Sequence, residues 1–93
     1  MPEIEVSTVD VERLASRFHV RVTADDGSVT EHDVTLSAAD HERLGSGYRS
    51  PAAFVRACFE FLLEREPKES ILRSFDVSQI ATYFREFERE ILR

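Results

Sequence analysis

Apolar and polar positions alternate with a period of two along much of the first 36 residues. Ile4 and Val6 alternate with Glu3, Glu5 and Ser7, the signal of a short strand. From Ser16 to Leu36 the alternation predicts a β-hairpin. Phe18, Val20 and Val22 point to one face, and Arg17, His19, Arg21 and Thr23 point to the other. Val34 and Leu36 resume the pattern after a turn. Asp25-Asp26-Gly27 suits a three-residue loop, a type I turn followed by Gly in the left-handed bulge position. That loop sets Ala24 opposite Ser28, Phe18 opposite Val34 and Val20 opposite His32, with Arg21 meeting Glu31 and His19 meeting Asp33. A two-residue turn would instead set Val20 against Asp33 and mix the two faces. The two opposite-charge pairs, each worth about 0.2–1 kcal/mol, agree with the longer loop.

After Ser37 the period changes. Ser37-x-x-Asp40 is a variant of the capping box and predicts a helix of about two turns ending at Gly45. Ser50-Pro51 is a stronger start, an N-cap followed by proline at the first helical position, and Pro67 sets the limit near Glu66. On this helix Phe54, Val55, Cys58, Phe59, Phe61, Leu62 and Leu63 cover an arc of about 200° at ~100° per residue. Only Arg56, Glu60 and Glu64 form a clearly solvated stripe, so this is the helix expected to organise the core. Residues 67–75 are expected to hold a short turn of helix with Ile71, Leu72 and Phe75 on one side. Asp76-Val77-Ser78-Gln79 is another capping box, opening a last helix that runs to the C-terminus. On it Val77, Ile80, Phe84, Phe87 and Ile91 keep heptad spacing. The fold expected is one α+β domain over residues 1–93, an N-terminal β-hairpin of two or three strands packed on three to four helices.

Composition narrows the setting. A chain of 93 residues with one cysteine builds no internal disulfide, which suits a reducing cytoplasmic compartment. The acidic N-terminus lacks the basic-then-apolar layout of a secretion signal, and no apolar run approaches the ~20 residues of a membrane span. The net charge of −6 arises within residues 1–47, which carry ten acids and four bases, whereas residues 48–93 carry eight of each. A negative hairpin face repels phosphate backbones and anionic headgroups, which argues against nucleic acid and membrane as partners.

Each residue that could carry chemistry has a plainer reading. Cys58 sits on the apolar arc, where a free thiol behaves as a small hydrophobe. His19 pairs across the hairpin with Asp33 on the solvated face. His32 points to the core face beside Val20 and needs a hydrogen-bond partner that the sequence does not identify; its burial would make it the residue to respond to pH. His41 lies on the short helix, and the three histidines have no ligand spacing. Asp25-Asp26-Gly27 is accounted for by the turn rather than by calcium, and Gly45-Ser46-Gly47 lacks the lysine and spacing of a phosphate loop. The expectation is a protein that is not an enzyme, with no cofactor and no metal.

Two stretches resemble known proteins. FEFLLEREPKESILRSFD, residues 59–76, with Ile80 and Tyr83-Phe84 after it, resembles a group of short bacterial proteins of unassigned function that share an EREPKESILRSFD-like segment. The resemblance implies a cytoplasmic bacterial protein, and it brings no catalytic or binding residue with it. VTLSAADHERL followed by SPAAFVRACFEFLLER resembles the ribbon–helix–helix repressors, in which strands of two chains pair and enter the major groove. Against that alternative, the strand has a hairpin partner in its own chain, its outward residues include Glu31 and Asp33, and a further helical segment follows.

The remaining expectation is a non-catalytic interaction or regulatory module that self-associates as a homodimer, with a hetero-partner as its variant. The candidate self-association residues are Phe84, Phe87 and Ile91 on the heptad seam. The candidate surface for a basic protein partner is Glu31 and Asp33.

Overall fold

Asp25-Asp26-Gly27 turns the chain in the register expected of it. The computed structural model describes residues 2–93, and in it Gly27 has φ 88°, the left-handed conformation that a bulge glycine supplies. Ala24 N–H donates to Ser28 O and Gly27 N–H to Ala24 O, both at 2.9 Å. The turn joins β2 (Ala15–Thr23) to β3 (Val29–Ser37), and Phe18 faces Val34, Val20 faces His32, His19 faces Asp33 and Arg21 faces Glu31. A first strand, β1 (Glu3–Val11), pairs antiparallel with β2 on its other side, with a bulge between Thr8 and Asp10.

The sheet has four strands, one more than the upper expectation. Residues 67–75 are not a turn of helix with three apolar residues on one side. After a single 3-10 turn at Lys68–Ser70 the chain extends into β4 (Ser74–Asp76), which pairs in parallel with β3 through Asp33, Val34 and Thr35. Ile71 and Phe75 turn inward, while Leu72 between them remains exposed. The strand order β1-β2-β3-β4 makes β3 an interior strand. Over Asp33–Thr35 it therefore lacks the open edge that the two-chain ribbon of a ribbon–helix–helix repressor needs.

Helices cover one face of the sheet. Ser37 caps α1 (Ala38–Asp40) by accepting from Asp40 N–H, and the helix loosens into a π-type turn at His41–Gly45. Ser50 accepts from Ala53 N–H and Pro51 opens α2 (Pro51–Leu63), whose Phe54, Val55, Cys58 and Phe59 are fully buried against Ile4, Phe18, Val20, Val22, Val34 and Leu36. Burying apolar surface between these two layers is the main stabilising term of such a domain. The Arg56 guanidinium at the β1 edge donates to Ile4 O. The opposite sheet face holds Glu5, Arg17, Arg21, Glu31 and Asp33, all exposed to solvent.

The single last helix is replaced by three pieces. A 3-10 turn at Val77–Gln79, closed by the expected capping box of Asp76 and Gln79, leads into α3 (Ile80–Tyr83). Phe84, at φ −129° and ψ 99°, leaves the helical region, and α4 (Phe87–Ile91) starts afresh. The break directs α4 back to the loop before α2, where Tyr48 Oη–H donates to Ile91 O at 2.5 Å and Arg43 holds Glu88 at 2.8 Å. Phe87 and Ile91 consequently fill the chain's own core, 1% and 4% exposed, and offer no seam to a second chain. Among the described residues no helix is long and apolar enough to cross a membrane.

Candidate functional site

Pro67 ends the run of α2, and the chain must then cross the molecule to pair β4 with β3. Three sets of contacts fix that crossing. Lys68, a buried cation, donates from Nζ to Ser28 Oγ at 2.6 Å and to the Glu69 carboxylate, and Ser28 Oγ–H donates on to Asp26 at 2.6 Å. Asp33 N–H donates to Arg73 O at 2.7 Å. His32, 2% exposed, reaches the same segment with its ring, Nδ1–H donating to Leu72 O at 2.8 Å. Its Nε2 accepts from Thr30 Oγ–H, also at 2.8 Å, so both ring nitrogens are satisfied with the imidazole neutral. The ring packs on Phe59 at 5.3 Å between centroids. Burial pushes its pKa down, partly opposed by the Leu72 carbonyl.

The crossing segment stands away from α3 and leaves a groove of about 370 Å³, within the range of ligand-sized clefts. Leu62 and Glu66, at the end of α2 and just beyond it, form one wall, and Ile71, Leu72 and Phe75 form the second. Gln79, Ile80, Tyr83 and Phe84 close the third side. Leu72 and Tyr83 are substantially exposed at the rim, and Phe84 is half-buried with its ring edge-on to Phe61 at 5.9 Å. Arg65 stiffens the wall from behind. Its guanidinium lies 3.6 Å over the Phe61 ring and donates to Phe61 O and to Glu86, both at 3.0 Å.

Glu66 gives the groove its chemistry. It is half-buried, no cation lies against its carboxylate among the described residues, and burial raises its pKa above the ordinary range. An apolar wall with one partly desolvated carboxylate is suited to an apolar side chain that arrives beside a cation. Glu66 also borders a second, shallower cavity over the β2–β3 turn, walled by Val22, Leu63 and Lys68.

Of the residues singled out by sequence, Phe84 lies on this groove, while Phe87 and Ile91 are buried in the core and do not line it. Glu31 and Asp33 are exposed on the far face of the sheet, about His19. The imidazole Nε2 is 2.7 Å from Glu31 and Nδ1 is 3.1 Å from Asp33. Arg21 keeps its register with Glu31, but the carboxylate turns to His19. The Asp33 and Glu31 hydrogen bonds raise the His19 pKa, and protonation there offsets part of the acidic patch. Cys58 is buried, and desolvation pushes its thiol far above the range of a nucleophile. Among the described residues no three His, Cys, Asp or Glu side chains converge on a common point that could hold a metal ion. Glu66, Leu72 and Tyr83 were not among the candidate site residues, although Leu72 was expected beside Ile71 and Phe75 on one side of a helical turn. The only signal they gave was that Leu72 follows Ile71 directly, so two adjacent apolar residues cannot both face inward in an extended segment.

No family model, no curated protein and no solved structure matches the chain.

Proposed function

We propose that this protein is a non-catalytic interaction module that self-associates, with the groove between the end of α2, residues 71–75 and α3 as its docking surface. The observation that carries this reading is the Glu66 carboxylate, half-buried on an apolar wall with no cation of the described chain against it. Exposed Leu72 and Tyr83 at the rim add apolar surface that water solvates poorly. The resemblance of residues 59–76 to a group of short bacterial proteins supports reading the module as bacterial and cytoplasmic, and the segment covers much of this groove.

The reading moves self-association away from Phe87 and Ile91, which are core, and keeps only Phe84 from the heptad seam. Tyr83→Glu introduces a charge at an exposed rim position and leaves the core untouched. Sedimentation velocity at rising concentration should show the unaltered chain associating and the variant remaining at monomer mass, with equal far-UV dichroism. Equal association by both would remove the groove from the interface.

A further inference from the structure

Three of the five large apolar side chains exposed outside the groove collect at the β1–β2 tip, while Val29 and Leu92 stand singly elsewhere. Val9 sits in the β1 bulge, Val11 ends the strand and Leu14 lies in the turn, the last two 71% and 75% exposed. Between them Arg13 is exposed to solvent, and no residue of the described chain is placed as its ion-pair partner. The tip is held in shape without using these side chains. Glu12 N–H donates to Ala15 O at 3.0 Å, Ala38 N–H donates to Leu14 O at 2.8 Å, and Arg17 pairs with Asp10 at 3.1 Å. The tip thus presents three apolar side chains around Arg13 on a braced turn; Arg17 there is taken up by Asp10, and Glu12 is exposed beside Arg13. That is the complement of the groove, an apolar cleft around one unpaired carboxylate.

The two patches cannot meet within one chain. The tip belongs to the β1–β2 edge of the sheet, at the end where β3 finishes. The groove is built on β4, the opposite edge, and its crossing segment is anchored by Lys68 at the β2–β3 turn. A nine-residue strand spans about 30 Å, and the sheet between the patches is a paired, rigid layer. We propose that the occupant of the groove is the β1–β2 tip of a second copy. Leu14 enters between Leu72 and Tyr83, and Arg13 pairs with Glu66. Donor and acceptor are different surfaces, so the contact is heterologous and copies join head to tail. The proposal rests on the groove being the docking surface.

Two blocked variants test it. Leu14→Glu destroys the donor and keeps the groove; Leu72→Glu destroys the groove and keeps the donor. Both positions are exposed, and far-UV dichroism confirms the fold of each. Tyr83→Glu replaces Leu72→Glu if that variant is unfolded. Each variant alone should sediment as a monomer, and their equimolar mixture should form a 1:1 dimer that does not grow, because one competent contact is restored. Arg13→Glu and Glu66→Arg should each weaken association of the unaltered chain at least tenfold, and the double variant should recover most of it. A mixture that stays monomeric, or a charge swap without recovery, overturns the proposal. If Leu14→Glu associates like the unaltered chain while Tyr83→Glu does not, the groove stands and its occupant is another surface. An unaltered chain that stays monomeric at every concentration overturns both.

Discussion

His32 ties the groove to the sheet, and its replacement should be legible in the pH dependence of stability. His32→Leu keeps an apolar side chain against Phe59 but leaves the Leu72 carbonyl without its donor. Orphaning this part-buried acceptor costs at most about 1–3 kcal/mol, and a chain of 93 residues has about 5–14 kcal/mol to lose. The pH dependence carries the sharper information. Burial holds the His32 pKa below 6.5, so the unfolded chain binds more protons than the folded one as pH falls through 6.5. The His32 contribution is complete above pH 6.5 and is lost below it, with a slope of up to about 1.4 kcal/mol per pH unit. His19 has the opposite sign. Its pKa is raised by Asp33 and Glu31, so its contribution is complete below pH 6.5 and is lost as pH rises through the folded value. Solvent exposure makes the His19 term the smaller of the two. Urea titrations between pH 5 and 8 on a His19→Gln background remove that opposing term. They should show stability falling on the acid side, and adding His32→Leu should flatten the curve and lower its plateau by at most about 1–3 kcal/mol. Glu69, Glu86 and Glu88, held below 4.5 by their hydrogen bonds to Lys68, Arg65 and Arg43, add an acid slope only toward pH 5. A slope between pH 6.5 and 5.5 that survives His32→Leu would therefore refute the reasoning.

Three further outcomes follow from packing. Phe87→Ala removes a buried ring that meets Phe61 at 5.1 Å, so it should lose about 3–5 kcal/mol in urea unfolding, whereas Tyr83→Ala at the exposed rim should stay within about 0.5 kcal/mol. Equal small losses would place Phe87 at the surface instead. Gly45→Ala sets a methyl group 2.9 Å from His41 Cδ2 and 3.0 Å from Phe54 Cγ, and because Phe54 is fully buried the variant should lose about 1–3 kcal/mol; a neutral result would mean that the contact relaxes freely. Cys58 should react with an aromatic disulfide reagent only when the chain unfolds, since its thiol is buried and held protonated. Stoichiometric labelling of the folded chain within a minute would contradict that burial.

The β2–β3 hairpin was legible because two independent constraints agreed. Asp25-Asp26-Gly27 allowed one loop length without mixing faces, and the charge pairs demanded the same register. The caps at Ser37, Ser50 and Asp76 were legible because a side-chain oxygen at an N-cap answers a local need of the backbone. β4 was not. Its three residues pair with a strand some 41 positions away, too short for alternation to show and too distant for a turn to announce. The last helix misled for a related reason. Val77, Ile80, Phe84, Phe87 and Ile91 are spaced as on one helix, yet the requirement to bring Ile91 to Tyr48 breaks it at Phe84, and periodicity is blind to that tertiary demand. The groove exists only because of β4 and the break at Phe84, so Glu66 and Tyr83 looked like ordinary solvated residues. The His32 environment was half visible. Its inward direction followed from register, but the carbonyl of Leu72 is 40 positions along the chain.

The most direct test of the groove as a self-docking surface is a dilution series followed by backbone amide shifts in nitrogen-15 NMR. On this account, shifts that depend on concentration should concentrate at Glu66, Leu72 and Tyr83 and at the β1–β2 tip around Val11 to Leu14, leaving the amides of Glu31 and Asp33 in place. Spectra that are identical from micromolar to millimolar, with the tumbling time of a 10.7 kDa monomer throughout, would contradict it.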